Sequence, residues 1–184
     1  MISLLACNAE PLPRSEYFAY GACIIKFDAD GAVDWEHSFV SYPYLNGRFA
    51  IEAPWGGYVL SGQHGDSGAT LLTMVSSDGS KVDEYIAGVS TYSNQRESLV
   101  FGDNENILSL LSNSGSDYSE LWSTTPSGIT ELIKTFDELK PDRNHPQSIA
   151  KANDGGLILL FNEYQSGYDN SDIVIMKTDI NGSM

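Results

Sequence analysis

Four glycines at near-constant spacing, Gly31, Gly79, Gly128 and Gly182, constrain this chain more than any other feature of its sequence. Their intervals, 48, 49 and 54, are close to equal, and an apolar run precedes each one: CIIKF, LLTMV, ELWST and IVIMK. A second marker keeps the same period. Trp55-Gly56-Gly57, Asn104-Glu105-Asn106 and Asp154-Gly155-Gly156 each lead into a further run, YVLSG, ILSLL and LILLF, with Gly57, Asn106 and Gly156 spaced 49 and 50 apart. Gly and Asn adopt positive φ most cheaply, so Asn106 is expected to hold a conformation for which the other copies use glycine. Apolar runs joined by short Gly-containing turns are hairpins. Each repeat therefore reads as four strands, a to d, with tight a–b and c–d turns, a polar b–c loop and a polar d–a link.

The clearest copy spans residues 148–184, where SIAKA, LILLF and DIVIMKT supply strands a, b and c. In the first copy Val33, Trp35, His37 and Phe39 alternate as in a strand with one buried face. Residues 130–139 could pass for a helix but fall in the d position. Four-stranded repeats of this length are the pattern of propeller blades. The expectation is an all-β chain: c and d before residue 42, two full sets to residue 136, then a, b and c. That makes about thirteen strands, or about 3–3.5 blades of an incomplete ring, the N-terminal part of a longer propeller. Residues 1–20 are expected to be a signal-like tail and linker, with a short strand at residues 17–20, and residues 21–184 the partial propeller.

These turns resemble the DGG-type repeat β-propellers of bacterial lipoproteins and secreted proteins, whose copies run roughly S-I-x-x-T-x-D-G-G-Y-I-x-x-G, a polar loop, then D-x-Y-L-x-K-x-D-x-x-G-x-x-x-W. Ser148-Ile149, Asp154-Gly155-Gly156, Asp172, Lys177, Asp179 and Gly182 match closely. The first copy keeps Gly56-Gly57-Tyr58, Lys26, Asp28, Gly31 and Trp35, and the middle copy has drifted. The resemblance covers residues 21–184. It implies the architecture and leaves the activity open, since such folds carry many functions.

Composition narrows the partners. The 184 residues hold 25 acidic and 10 basic side chains, a net charge of −15, with 41% hydrophobic residues and 17 glycines. Nucleic acid and anionic membrane surfaces require clustered Lys and Arg and are excluded as expected partners. The two cysteines, Cys7 and Cys23, form no CxxC pair; Cys23 reads as a small buried hydrophobe or as the disulfide partner of Cys7. Leu4-Leu5-Ala6-Cys7 is similar to the end of a lipoprotein signal, although a basic leader and most of the apolar stretch are missing. The resemblance implies lipidation at Cys7 and a membrane attachment through that anchor alone.

Chemistry-bearing residues are few. Asp28-Ala29-Asp30-Gly31 and Asp179-Ile180-Asn181-Gly182 read as self-bonded turns, because a helix-loop-helix calcium loop would need Glu where Phe39 stands. The b–c loop carboxylates Asp66, Asp117, Asp169 and Asp172 leave calcium as the one cofactor to consider. His37, His64 and His145 share no ligand spacing. Three of the four arginines, Arg48, Arg96 and Arg143, are placed once per repeat in the d–a links, 48 and 47 apart, and could gather as an anion site or fix their own loops. Trp55, at an a–b turn with Tyr42 and Tyr44 near in sequence, is a candidate to stack on a sugar or anchor a partner. No nucleophile elbow, HExxH or phosphate loop occurs. The expected role is an extracytoplasmic, non-catalytic binding or scaffolding module for a protein or glycan, within a longer lipoprotein or secreted protein. The alternative is a glycoside-hydrolase-like propeller enzyme whose acid pair the sequence does not single out.

Overall fold

The structure is a computed structural model that describes residues 4–9, 21–40, 45–64, 69–88, 99–113, 118–137, 139, 144–164 and 171–184. Among them are fourteen strands in four antiparallel sheets, and no helix. No helix long and apolar enough to cross a membrane is therefore found among the described residues. The first sheet holds β1 (Leu4–Ala9), β2 (Gly21–Phe27) and β3 (Val33–Val40). The second holds β4 (Leu45–Glu52), β5 (Tyr58–His64), β6 (Ala69–Val75) and β7 (Lys81–Ile86). The third holds β8 (Leu99–Phe101), β9 (Ile107–Asn113), β10 (Tyr118–Thr124) and β11 (Thr130–Phe136). The fourth holds β12 (Asn144–Lys151), β13 (Leu157–Tyr164) and β14 (Ser171–Thr178).

Every sheet is a meander in which strands adjacent in sequence are adjacent in space. The all-β expectation and the a-to-d assignment of the repeats both hold, and residues 130–136 form strand β11 as their place in the repeat requires. The N-terminus differs. Leu4–Ala9, expected in a tail, pairs with β2 from Leu4↔Lys26 to Ala9↔Gly21 and takes the place of strand b in the first sheet. An apolar run ending a signal and an apolar strand look alike in sequence, and the pairing with the open edge of β2 is what the structure adds. The pairing sets Cys7 opposite Cys23 in the backbone register, and Cys23 is disulfide-bonded. Residues 17–20 lie outside the described residues.

All seven tight turns share one five-residue frame. The first residue's N–H donates to the fifth residue's carbonyl, as from Asp28 to Ala32 (2.9 Å), Ala53 to Gly57 (2.9 Å), Ser76 to Ser80 (2.9 Å), Gly102 to Asn106 (2.8 Å), Thr125 to Ile129 (2.9 Å), Ala152 to Gly156 (2.8 Å) and Asp179 to Ser183 (2.7 Å). The fourth residue carries positive φ: Gly31, Gly56, Gly79, Gly128, Gly155, Gly182 and, alone among them, a non-glycine, Glu105 at φ 62°. This corrects the expectation for Asn106. The left-handed residue of its turn is Glu105, one position earlier, and Asn106 occupies the fifth position. At the fifth position a Cβ on Gly57 or Gly156 would come within 2.3 Å of a carbonyl oxygen, of Val75 or Thr178, and Gly57 in addition has a positive φ of 84°. Asn106 carries a side chain there and its Nδ2 donates to Ser123 Oγ at 3.2 Å. A left-handed non-glycine residue costs about 1–2 kcal/mol, partly offset by the greater freedom of glycine in the unfolded chain. Glu105→Gly is accordingly expected to raise stability by roughly 0.5–1 kcal/mol in urea melts.

The chain divides into two compact units, residues 1–86 and 87–184. In the first, Ala22, Ile24 and Phe39 pack with Tyr58, Leu60, Leu71 and Val75, so the two sheets meet face to face. In the second, Leu108, Leu110, Leu121 and Phe136 pack with Ile149, Leu157, Leu159, Phe161 and Met176. The Phe136 and Phe161 rings meet edge to face, with centroids 5.6 Å apart.

Candidate functional site

In a meander whose a–b and c–d connections are tight, both turns lie at the same end of the sheet. Within residues 87–184 these turns border an open groove of about 580 Å³, lined by Asp103, Asp154, Lys177, Asp179 and the backbone of Gly155 and Gly156 among others. Two of its carboxylates are ion-paired. Lys151 Nζ, on β12, lies 2.7 Å from Asp103 Oδ1 in the β8–β9 turn. Lys177, on β14, bonds Asp154 in the β12–β13 turn, and Asp154 Oδ1 also accepts the Gly156 amide at 3.3 Å. The Lys177 ammonium first, and then the Gly156 amide, hold the Asp154 carboxyl below the usual carboxylate range.

The remaining groove carboxylate is engaged by its own turn. Asp179 Oδ1 accepts the amides of Asn181 and Ser183, each at 2.9 Å, just as Asp28 Oδ1 accepts those of Asp30 and Ala32 at 2.9 Å. The turn reading of both Asp-containing sequences therefore stands. Among the described residues no three His, Cys, Asp or Glu side chains are grouped as a metal site. Asp66, Asp117 and Asp169 lie outside the described residues, and Asp172 lies in β14. A depressed carboxyl is the wrong direction for a general acid, which needs its proton near neutral pH. The groove is suited to hydrogen-bonding and pairing with polar groups.

Lysine pairing is what sequence reasoning missed. Lys26 and Lys177 both stand five residues before a turn glycine and were legible as matches to the repeat. Their acidic partners were not: Lys177 meets Asp154, whereas Lys26 pairs with Asp34 at 2.6 Å on the neighbouring strand. That contact, with Tyr58 adding, pushes the Lys26 ammonium up.

Arg48 lies inside strand β4 instead of in a link. It is the extra residue of a bulge between Gly47 and Phe49, and its Nη2 donates to Gln63 Oε1 at 2.9 Å. Arg96 and Arg143 lie outside the described residues. Counted to the left-handed turn residue, however, the three arginines stand eight, nine and twelve residues before Gly56, Glu105 and Gly155. The position equivalent to Arg48 in the fourth sheet is Gln147, again the extra residue of a bulge. Near-equal spacing thus conceals unequal places in the repeat. Trp55 is the middle residue of the β4–β5 turn, where Asn104 and Asp154 stand in the other copies, and is 39% exposed. Tyr42 and Tyr44 lie outside the described residues. Trp35 packs against Tyr58 and His37, with ring centroids 5.4 and 5.6 Å apart, a packing role as its strand position implies.

No family model matches the sequence, and no curated protein matches it. Among solved structures, a protein of unknown function from Bacteroides caccae is similar over 89% of this chain, with 17% sequence identity and a TM-score of 0.49. The chain spans 56% of that protein's length.

Proposed function

We propose that the four sheets are blades of a β-propeller of the DGG-repeat kind, and that the chain is a non-catalytic binding or scaffolding module working outside the cytoplasm, within a longer secreted or surface protein. The observation that carries the propeller reading is the five-residue turn frame, repeated at both hairpin positions of a four-stranded unit on the period of the turn glycines. The disulfide at Cys23 supports an oxidising compartment. Binding at the turn ends of the sheets is supported in residues 1–86 by the exposed Trp55 and, separately, in residues 87–184 by an open groove in which Asp103 and Asp154 are paired with lysines.

The test is a glycan array and a panel of chromogenic glycosides applied to the same purified chain. Retention of a glycan without chromophore release, falling roughly tenfold or more in Trp55→Ala, is the expected result. Turnover of a glycoside would replace the binding module with a glycosidase. Neither retention nor turnover would remove glycans from the proposal and leave a protein partner.

A further inference from the structure

Two asparagine–glycine pairs occur in the sequence, Asn46-Gly47 and Asn181-Gly182, and the fold puts them in opposite settings. Asn46 and Gly47 belong to β4, where they pair with Gln63 and Gly62 of β5. Asn181 and Gly182 are the third and fourth residues of the five-residue turn that follows β14, and Asn181 is exposed. That exposure is a property of the turn itself. The third residues of the corresponding turns, Asp30, Asp78 and Ser127, are exposed as well, each with the following strand in place.

Such a pair carries its own reaction. The Gly182 backbone nitrogen can attack Asn181 Cγ, since glycine has no Cβ to obstruct the approach. The new N–Cγ bond closes a five-membered succinimide, the Cγ–Nδ2 bond breaks, and ammonia leaves with the proton of the Gly182 amide. Water then opens the ring at one of its two carbonyls. Opening at Cγ gives aspartate. Opening at the backbone carbonyl gives isoaspartate, in which the main chain runs through the side chain and is one methylene longer. Water is the only co-reactant. The turn holds the attacking nitrogen lightly: the Gly182 N–H donates to the Asp179 carbonyl at 3.2 Å, against 3.0 Å for Gly79 and 2.9 Å for Gly128 at the same place in their turns.

We propose that Asn181 is a site of spontaneous deamidation, and that its isoaspartate product loosens the seat of this turn on the third sheet. The turn accepts one product and not the other. Aspartate already occupies the position in two copies, as Asp30 and Asp78. Isoaspartate lengthens the backbone inside a frame closed by two bonds, from the Asp179 N–H to the Ser183 carbonyl at 2.7 Å and from the Ser183 N–H to Asp179 Oδ1 at 2.9 Å. Gly182 also lies against side chains of the third sheet, where a Cβ would come within 3.1 Å of Lys134 and 3.4 Å of Leu121. A displaced Gly182 backbone disturbs that contact. The turn therefore changes once, in one direction, with the age of the chain.

Peptide mapping by mass spectrometry of the purified full chain, held at mildly alkaline pH, tests this. The mass gain of an amide turned to acid is expected at Asn181 at least about tenfold sooner than at Asn46, whose reaction waits on the opening of β4 from β5. In the same chain unfolded in urea the two pairs are expected to convert at comparable rates. The isoaspartate form, separated by chromatography, is expected to unfold at a lower urea midpoint than the parent, whereas Asn181→Asp keeps the parent's midpoint. An Asn181 that persists, or that outpaces Asn46 no more in the folded chain than in the unfolded one, overturns the proposal, as does an isoaspartate form as stable as the parent.

Discussion

Replacing Phe161 by alanine is expected to lower the unfolding free energy by about 3–5 kcal/mol, read as a fall in the urea midpoint at unchanged slope. Phe161 is 0% exposed at the centre of the cluster that joins the third and fourth sheets, and its ring meets Phe136, also 0% exposed. Truncation removes the buried ring and its edge-to-face partner at once, and the two rigid sheets can close only part of the cavity. The comparison variant lies three residues away on the same strand. Ile158 faces the other side of the sheet and is 41% exposed, so Ile158→Ala is expected to cost less than about 1.5 kcal/mol. Equal effects from the two would mean that the face described as open is closed, or that the face described as core is not.

Gly57→Ala is expected to destabilise by about 2–4 kcal/mol, because two independent penalties meet there. The residue has φ +84°, and its Cβ would fall 2.3 Å from the Val75 carbonyl oxygen. Neither the carbonyl nor the turn can yield without disturbing the pairing of β5 with β6, where Tyr58 sits opposite Val75. Gly155→Ala separates the two contributions. It has φ +85° and nothing within 4 Å of the added carbon, so only the conformational cost of about 1–2 kcal/mol remains. Denaturation midpoints for the two variants check the order, and Gly155→Ala proving the more damaging would contradict the turn geometry.

The repeat was legible because glycine at a left-handed turn position is nearly obligatory, and apolar runs on a fixed period leave few architectures. Strand order and sheet membership after residue 20 followed from Gly31, Gly79, Gly128 and Gly182, whereas β1, which no turn glycine marks, did not. The distinction between the two glycines of the Gly-Gly pair was not legible. Gly155 answers to its own φ and Gly156 to a carbonyl on another strand, and only the second requires knowing the pairing. The same limit hid the lysine contacts, since Asp154 and Lys177 meet across strands 23 residues apart in sequence. The arginine series failed in the opposite way: the even spacing of Arg48, Arg96 and Arg143 was visible, but the bulge that absorbs Arg48 into β4 was not.

The uniform turn frame has a consequence for how such a chain can be altered. Each tight turn occupies five residues, whereas the connections at the opposite end of the sheets run to four, six, seven, eleven and twelve residues between the strands that they join. One end of every sheet is held to a fixed length by paired backbone bonds and a left-handed residue. The other end has already taken connections of several lengths without shifting a strand in register. Foreign segments belong at the second end, where they would enter between finished hairpins. A catalogue of grafted loops could be carried there while the turn end, unchanged, continued to define the sheets.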